Sequence, residues 1–134
     1  MSSATLTTTA GILLITVVTI AFGGLALLRH LIGRKAGYLE NPVRRGLWTA
    51  GHAHAGVLVF ALVALPYIDH ADAGDGTRTL IRLLFVSAPI LMPLGFFLSV
   101  VRPQDTKPNK LIWLTVAGGA SLAAGSLLLG VNLL

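Results

Sequence analysis

Four apolar runs constrain this chain more than any other feature. They lie at roughly Leu6 to Leu28, Leu47 to Ile68, Leu80 to Val101 and Leu111 to Leu134. Each holds about 20 to 24 residues, the length that carries a helix across a hydrocarbon core of about 30 Å. A helix satisfies its own backbone hydrogen bonds in lipid, and an open strand does not. The expected fold is therefore all-α, an integral membrane four-helix bundle in which residues 1–134 form a single transmembrane domain.

Composition supports that expectation. Charged residues make up 11% of the chain and hydrophobic residues 54%. A soluble domain carries about a quarter charged residues to cover its core. Disorder needs low hydrophobicity and high charge, the opposite of what is present. Cysteine is absent, which excludes disulfides, thiolate metal sites and a cysteine nucleophile. The first run has no basic residue before it, and Arg29 is the first charged side chain. It is also long for a signal-peptide core, so it reads as a mature helix.

The charge pattern sets an expected orientation. Of 10 Lys and Arg residues, eight lie in two loops: Arg29, Arg34, Lys35, Arg44 and Arg45 in loop 29–46, and Arg102, Lys107 and Lys110 in loop 102–110. The loop between the second and third runs carries Asp69, Asp72 and Asp75. Basic loops stay in the cytoplasm. Both termini are then expected outside a plasma membrane that the chain crosses several times. Clustering in short loops reads as a topology signal, and no nucleic-acid motif accompanies it. Trp48, Tyr67 and Trp113 fall near run ends, where aromatic belts form.

Two runs carry further features. The fourth holds Gly118, Gly119, Ala120, Ala124, Gly125, Ser126 and Gly130. Ala120/Ala124 and Ser126/Gly130 are small-xxx-small pairs, suited to packing inside the bundle or to a subunit interface. The third carries Pro89 and Pro93, each of which removes an intrahelical hydrogen bond. The pair marks either a simple kink or a bend that makes room for a ligand.

The segment Trp48-Thr-Ala-Gly-His52-Ala-His54-Ala-Gly56 is the candidate site. Ionisable groups inside an apolar run are uncommon and usually functional. On a helix, residues i and i+2 point about 200° apart, so His52 and His54 do not share one metal ion. No carboxylate lies inside a run to complete a zinc site. A heme needs only one protein nitrogen and an apolar slot. Gly51, Ala53, Ala55 and Gly56 leave space for a flat macrocycle, and Arg29, Arg44 and Arg45 could pair with its propionates. The alternative is a histidine that hydrogen-bonds a neighbouring carbonyl. His30 is either an interfacial cation or a second axial ligand. His70 lies in the acidic loop.

The segment resembles the styrene oxide isomerase family, with the related hydroxylaminobenzene mutases behind it. The resemblance runs through Phe22-Gly-Gly-Leu25, Gly37-Tyr38, Trp48 with Ala53-His54-Ala-Gly56, Leu65-Pro66, Asp72 and Leu94-Gly-Phe-Phe97. It implies a small four-helix membrane protein, a homotrimer, and heme b held by one histidine. His54 is the ligand by the Ala-His-x-Gly match, and His52 is second by spacing from Trp48. It further implies ferric iron acting as a Lewis acid on a small lipophilic epoxide. The family's polar Asn, Asp and Tyr are matched here by Phe60, Pro89 and Phe97, so the catalytic residues of this chain are not assigned. Three functions follow as expectations. One is a heme isomerase acting on a small apolar substrate. The second is a non-catalytic heme protein, an electron carrier or a respiratory or heme-handling subunit. The third is a cofactor-free membrane subunit or transporter.

Overall fold

The computed structural model describes the backbone of residues 3–134 and the side chains of residues 8–134. Six helices follow in order: α1 (Ser3–Ile32), α2 (Ala36–Leu39), α3 (Pro42–His54), α4 (Val57–Ile68), α5 (Asp75–Leu98) and α6 (Trp113–Val131). A 3-10 turn, Lys110–Ile112, leads into α6. No strand occurs among the described residues. Among the described residues, four stretches are long and apolar enough to cross a membrane: Thr8–Ile32, Pro42–Ile68, Asp75–Leu98 and Lys110–Val131.

The ends of these helices differ from the apolar runs because caps, not hydropathy, decide where a helix starts. The second stretch begins at Pro42 instead of Leu47. The Asn41 side chain accepts from the Arg44 amide at 3.0 Å, and proline fills the first helical position, where its missing amide hydrogen costs nothing. Likewise α5 begins at Asp75, five residues before the run, after an extended Gly74. It ends at Leu98, where Asn109 takes over: its amide donates to the Ser99 carbonyl and its side chain to the Leu98 carbonyl.

The second stretch is also not one helix. After His54 the bonding shortens to i→i−3, with Gly56 N–H on Ala53 O and Leu58 N–H on Ala55 O, both at 3.1 Å. This single tight turn separates α3 from α4 and shifts the facing of everything beyond it.

Helix α5 is the centre of the molecule. Three glycine contacts seat α6 against it. Gly95 backs onto Thr115, Gly118 onto Met92, and Gly125 onto Leu84 and Phe85. The Thr115 hydroxyl donates to the Met92 carbonyl at 3.1 Å. The opposite side of α5 meets α3 and α4, and α1 lies against α3 and α4. The tight core (Leu13, Leu58, Leu65, Ile68, Ile81, Phe85 and Leu129) occupies the half nearest the acidic loop. The histidines on α3 sit in the other half. Much of α1 is unpartnered, with Ile15 and Phe22 each 73% exposed.

The small residues of α6 divide between two faces. Gly118 and Gly125 are buried against α5, whereas Ala120, Ala124 and Gly130 are exposed. The in-bundle packing of this helix thus uses glycines seven residues apart, and both small-xxx-small pairs carry an exposed member.

Candidate functional site

The break after His54 leaves both α3 histidines on the last turn of one regular helix. They face different neighbours, as the 200° rule requires. His52 faces α1. A Cβ added to Gly24 would stand 2.8 Å from His52 Cε1 and 2.9 Å from Nε2, so the bare glycine backbone is what admits the ring. His54 is exposed, and its ring centroid lies 5.0 Å from that of Phe96 on α5. Gly51, the residue before His52, is buried against Phe96 and Phe97. Helix α5 therefore docks on α3 with one histidine to each side.

His52 lines a cleft of about 280 Å³ between α1, α3 and α5. Both α5 prolines line it, with Phe97, Ala55 and Thr19. The paired prolines thus sit at a space between helices. The cleft lies at the lower edge of the roughly 300–1,000 Å³ range of small-molecule sites.

His54 is held by one hydrogen bond. Its Nδ1 lies 2.8 Å from the Ala50 carbonyl, so Nδ1 carries the hydrogen and donates. The hydrogen bond fixes the tautomer and leaves Nε2 as a free acceptor on an exposed face. Ala50 and Ala53 also line a shallow groove of about 710 Å³, together with Gly46 and Arg45. His54 itself stands beside this groove and does not line it.

The remaining sequence-predicted residues are placed as follows. Arg45 is exposed and lines the groove. Arg44 turns inward: it donates to the Gly37 carbonyl at 3.0 Å, and its guanidinium carbon stacks 4.0 Å from the Trp48 ring centroid. Gly56 belongs to the tight turn that separates α3 from α4. Trp48 does not face outward in a belt. Its ring is 5.9 Å from His30, 6.0 Å from Phe97 and 6.2 Å from Tyr38, centroid to centroid, and its indole N–H is buried without an acceptor.

His30 Nδ1 bonds the Ala26 carbonyl at 2.7 Å. It lies six residues beyond Gly24, about 9 Å further along α1 than the point where His52 meets that helix. Its ring packs edge-on against Tyr38 and Trp48. Among the described residues, no three His, Cys, Asp or Glu side chains gather into a polydentate metal site. Of the positions matched to the family's polar residues, Pro89 and Phe97 meet in the His52 cleft. Phe60 stands apart, 53% exposed and beside Phe85.

Sequence reasoning missed the Gly24–His52 contact and the Arg45 groove. Adjacent glycines at 23 and 24 were a signal of close approach, but nothing local names the partner. No family model, curated protein or solved structure matches the chain.

Proposed function

We propose that this chain is a four-span integral membrane protein that binds heme b through His54. Its four long apolar helices support the membrane reading. The distribution of Lys and Arg supports both termini outside and loops 29–46 and 102–110 in the cytoplasm.

One observation carries the heme reading: His54 donates through Nδ1 to Ala50 and keeps Nε2 free on an exposed face. The residues around it fit the group. In the groove beside it Gly46 has no side chain and Ala50 and Ala53 carry only methyl groups, which would admit a flat ring, and a Cβ at Gly46 would meet nothing within 4 Å. Arg45 stands free at the groove to pair a propionate. Arg44 is engaged with Gly37 and Trp48, so this role falls to Arg45. His52 is the weaker choice, because heme b is larger than the molecules a 280 Å³ cleft accepts. The groove is open on one side, and the trimer implied by the resemblance would supply a second wall.

When bound, ferric heme supplies a Lewis acid for an oxygen-bearing lipophile. His54 would hold the group through Nε2, its ring oriented by the Ala50 carbonyl. An isomerase acting on an epoxide is the catalytic form of this proposal. Phe60, Pro89 and Phe97 provide no acid or hydroxyl to orient such a substrate, which favours heme binding without that catalysis.

The test is an absorption spectrum of the detergent-purified protein, oxidised and reduced. The expected result is a Soret band at about one heme per chain, lost in His54→Ala and kept in His52→Ala. A protein that stays colourless after expression with added heme refutes the proposal. The reverse mutant pattern moves the ligand to His52.

A further inference from the structure

His52 differs from its neighbours in one respect. His30 and His54 each donate to a backbone carbonyl, whereas His52 has no hydrogen-bond partner among the described residues. It is nonetheless half-buried, in a cleft whose walls are mostly apolar. Neither ring nitrogen is fully buried, so both stay open to the cleft, and a neutral ring offers one donor and one acceptor to whatever fills the space.

The other polar groups of the cleft are acceptors. The Thr16 hydroxyl donates to the Ile12 carbonyl at 2.9 Å and the Thr19 hydroxyl to the Thr16 carbonyl at 2.6 Å. Their hydrogens are committed and their lone pairs remain. Pro93 has no amide hydrogen, so the carbonyl of Pro89, which lines the cleft, lacks its usual helical donor. No carboxylate, lysine or arginine lines the cleft.

This inventory selects a class of occupant. An anion would meet acceptors, and a cation would find no counter-charge. A hydroxyl satisfies both sides, accepting from the imidazole N–H and donating to a threonine oxygen or a freed carbonyl. The volume of about 280 Å³ matches roughly nine waters at ~30 Å³ each, the size of one ring with a short substituent.

We infer that the cleft binds a small neutral lipophile with a single hydroxyl, a phenol or aryl alcohol, held by His52. The inference is independent of the heme proposal, since His54 and its groove lie on the other side of α3.

Two positions allow the cleft to be closed. Gly23 lines it, and a Cβ there would meet nothing within 4 Å, so Gly23→Leu fills the space without a backbone clash. Ile90 lines it from the exposed side of α5, and Ile90→Trp plugs it from there.

The test is photolabelling of the full-length protein in detergent with a benzyl alcohol that carries a diazirine, mapped by mass spectrometry. Adducts are expected on Ile20, Ile90 and Leu94. Unlabelled 4-ethylphenol should compete about tenfold better than ethylbenzene, the effect of one hydrogen bond. His52→Phe should erase that preference, and Gly23→Leu should remove most of the cleft adducts. Should Gly23→Leu lose its helical circular dichroism, Ile90→Trp provides the same comparison. The proposal is overturned if ethylbenzene competes equally in the unmodified chain. It is also overturned if adducts spread over the exposed face of α1, or if they persist with the cleft filled. Heme absorbance recorded on each sample reports separately on His54.

Discussion

Gly23 and Gly24 are neighbours on α1 with opposite tolerance for a side chain. A Cβ at Gly24 enters the His52 ring, whereas one at Gly23 enters open space. Gly24→Ala should therefore displace His52 or part α1 from α3, with a loss of about 1–3 kcal/mol, the usual range for overpacking. Gly23→Ala should raise the thermal midpoint slightly, since alanine is favoured over glycine in a helix interior by roughly 0.5–1 kcal/mol. Equal midpoints for the two variants would show that the ring has room to move. Arg34 makes a second residue-scale case. It is the one described non-glycine residue with positive φ, at 45°. It sits at the turn that ends α1, where Lys35 N–H returns to the His30 carbonyl and Arg34 N–H to Leu31, a Schellman arrangement. Glycine is the residue that conformation favours. Arg34→Gly should raise stability by about 1 kcal/mol, read as a higher thermal midpoint. No rise would mean that the arginine side chain contributes as much as its backbone costs.

At the scale of elements, the α5–α6 seam shows which small residues matter. A Cβ at Gly118 would come within 2.8 Å of the Met92 amide nitrogen, which cannot yield without moving the helix. Gly119, the next residue, has nothing within 4 Å. Gly118→Val should separate α6 from α5 and lower the thermal midpoint by several degrees, while Gly119→Val should be near neutral. A silent Gly118→Val would contradict this seam. The tight turn at Ala55–Gly56 belongs to the same scale. It lets α3 set the direction of its histidines while α4 turns Leu58, Ala61 and Leu65 into the core. The sequence shows this stretch as one apolar run, because hydropathy carries no record of a shift from i→i−4 to i→i−3 bonding.

At the scale of the whole molecule, the two ends are built differently. At one end Arg82 pairs with Asp69 at 3.5 Å, Arg78 donates to the Ala71 carbonyl, and the Asp72 amide donates to the Asn132 carbonyl. At the other, Asn41 joins two basic loops by donating to the carbonyls of Pro103 and Asp105, each at 2.8 Å. The proposed orientation puts the second end in the cytoplasm. Because the chain has no cysteine, single replacements report cleanly on this. A membrane-impermeant thiol reagent applied to intact cells should label Asp72→Cys and spare Gln104→Cys until the membrane is opened. The opposite pattern would invert the topology, and labelling of both from outside would remove the membrane reading itself.

The number of apolar spans and their approximate extent were readable from the chain because both depend on local properties: run length, hydropathy and the absence of charge. The opposed directions of His52 and His54 were readable too, since the angle between i and i+2 is a property of any regular helix. Which histidine would meet the cleft was not readable. That depends on how far α3 rotates about its axis when Gly51 seats against Phe96 and Phe97 and Gly24 accepts the imidazole. The same holds for α6, where seven small residues look alike in one dimension and only contact with Met92 and Phe85 separates packing glycines from exposed alanines. Residue type sets what a helix can do, but its azimuth is fixed by partners far away in the chain. Here that rotation places one imidazole in a cleft beside two prolines and the other beside an open groove.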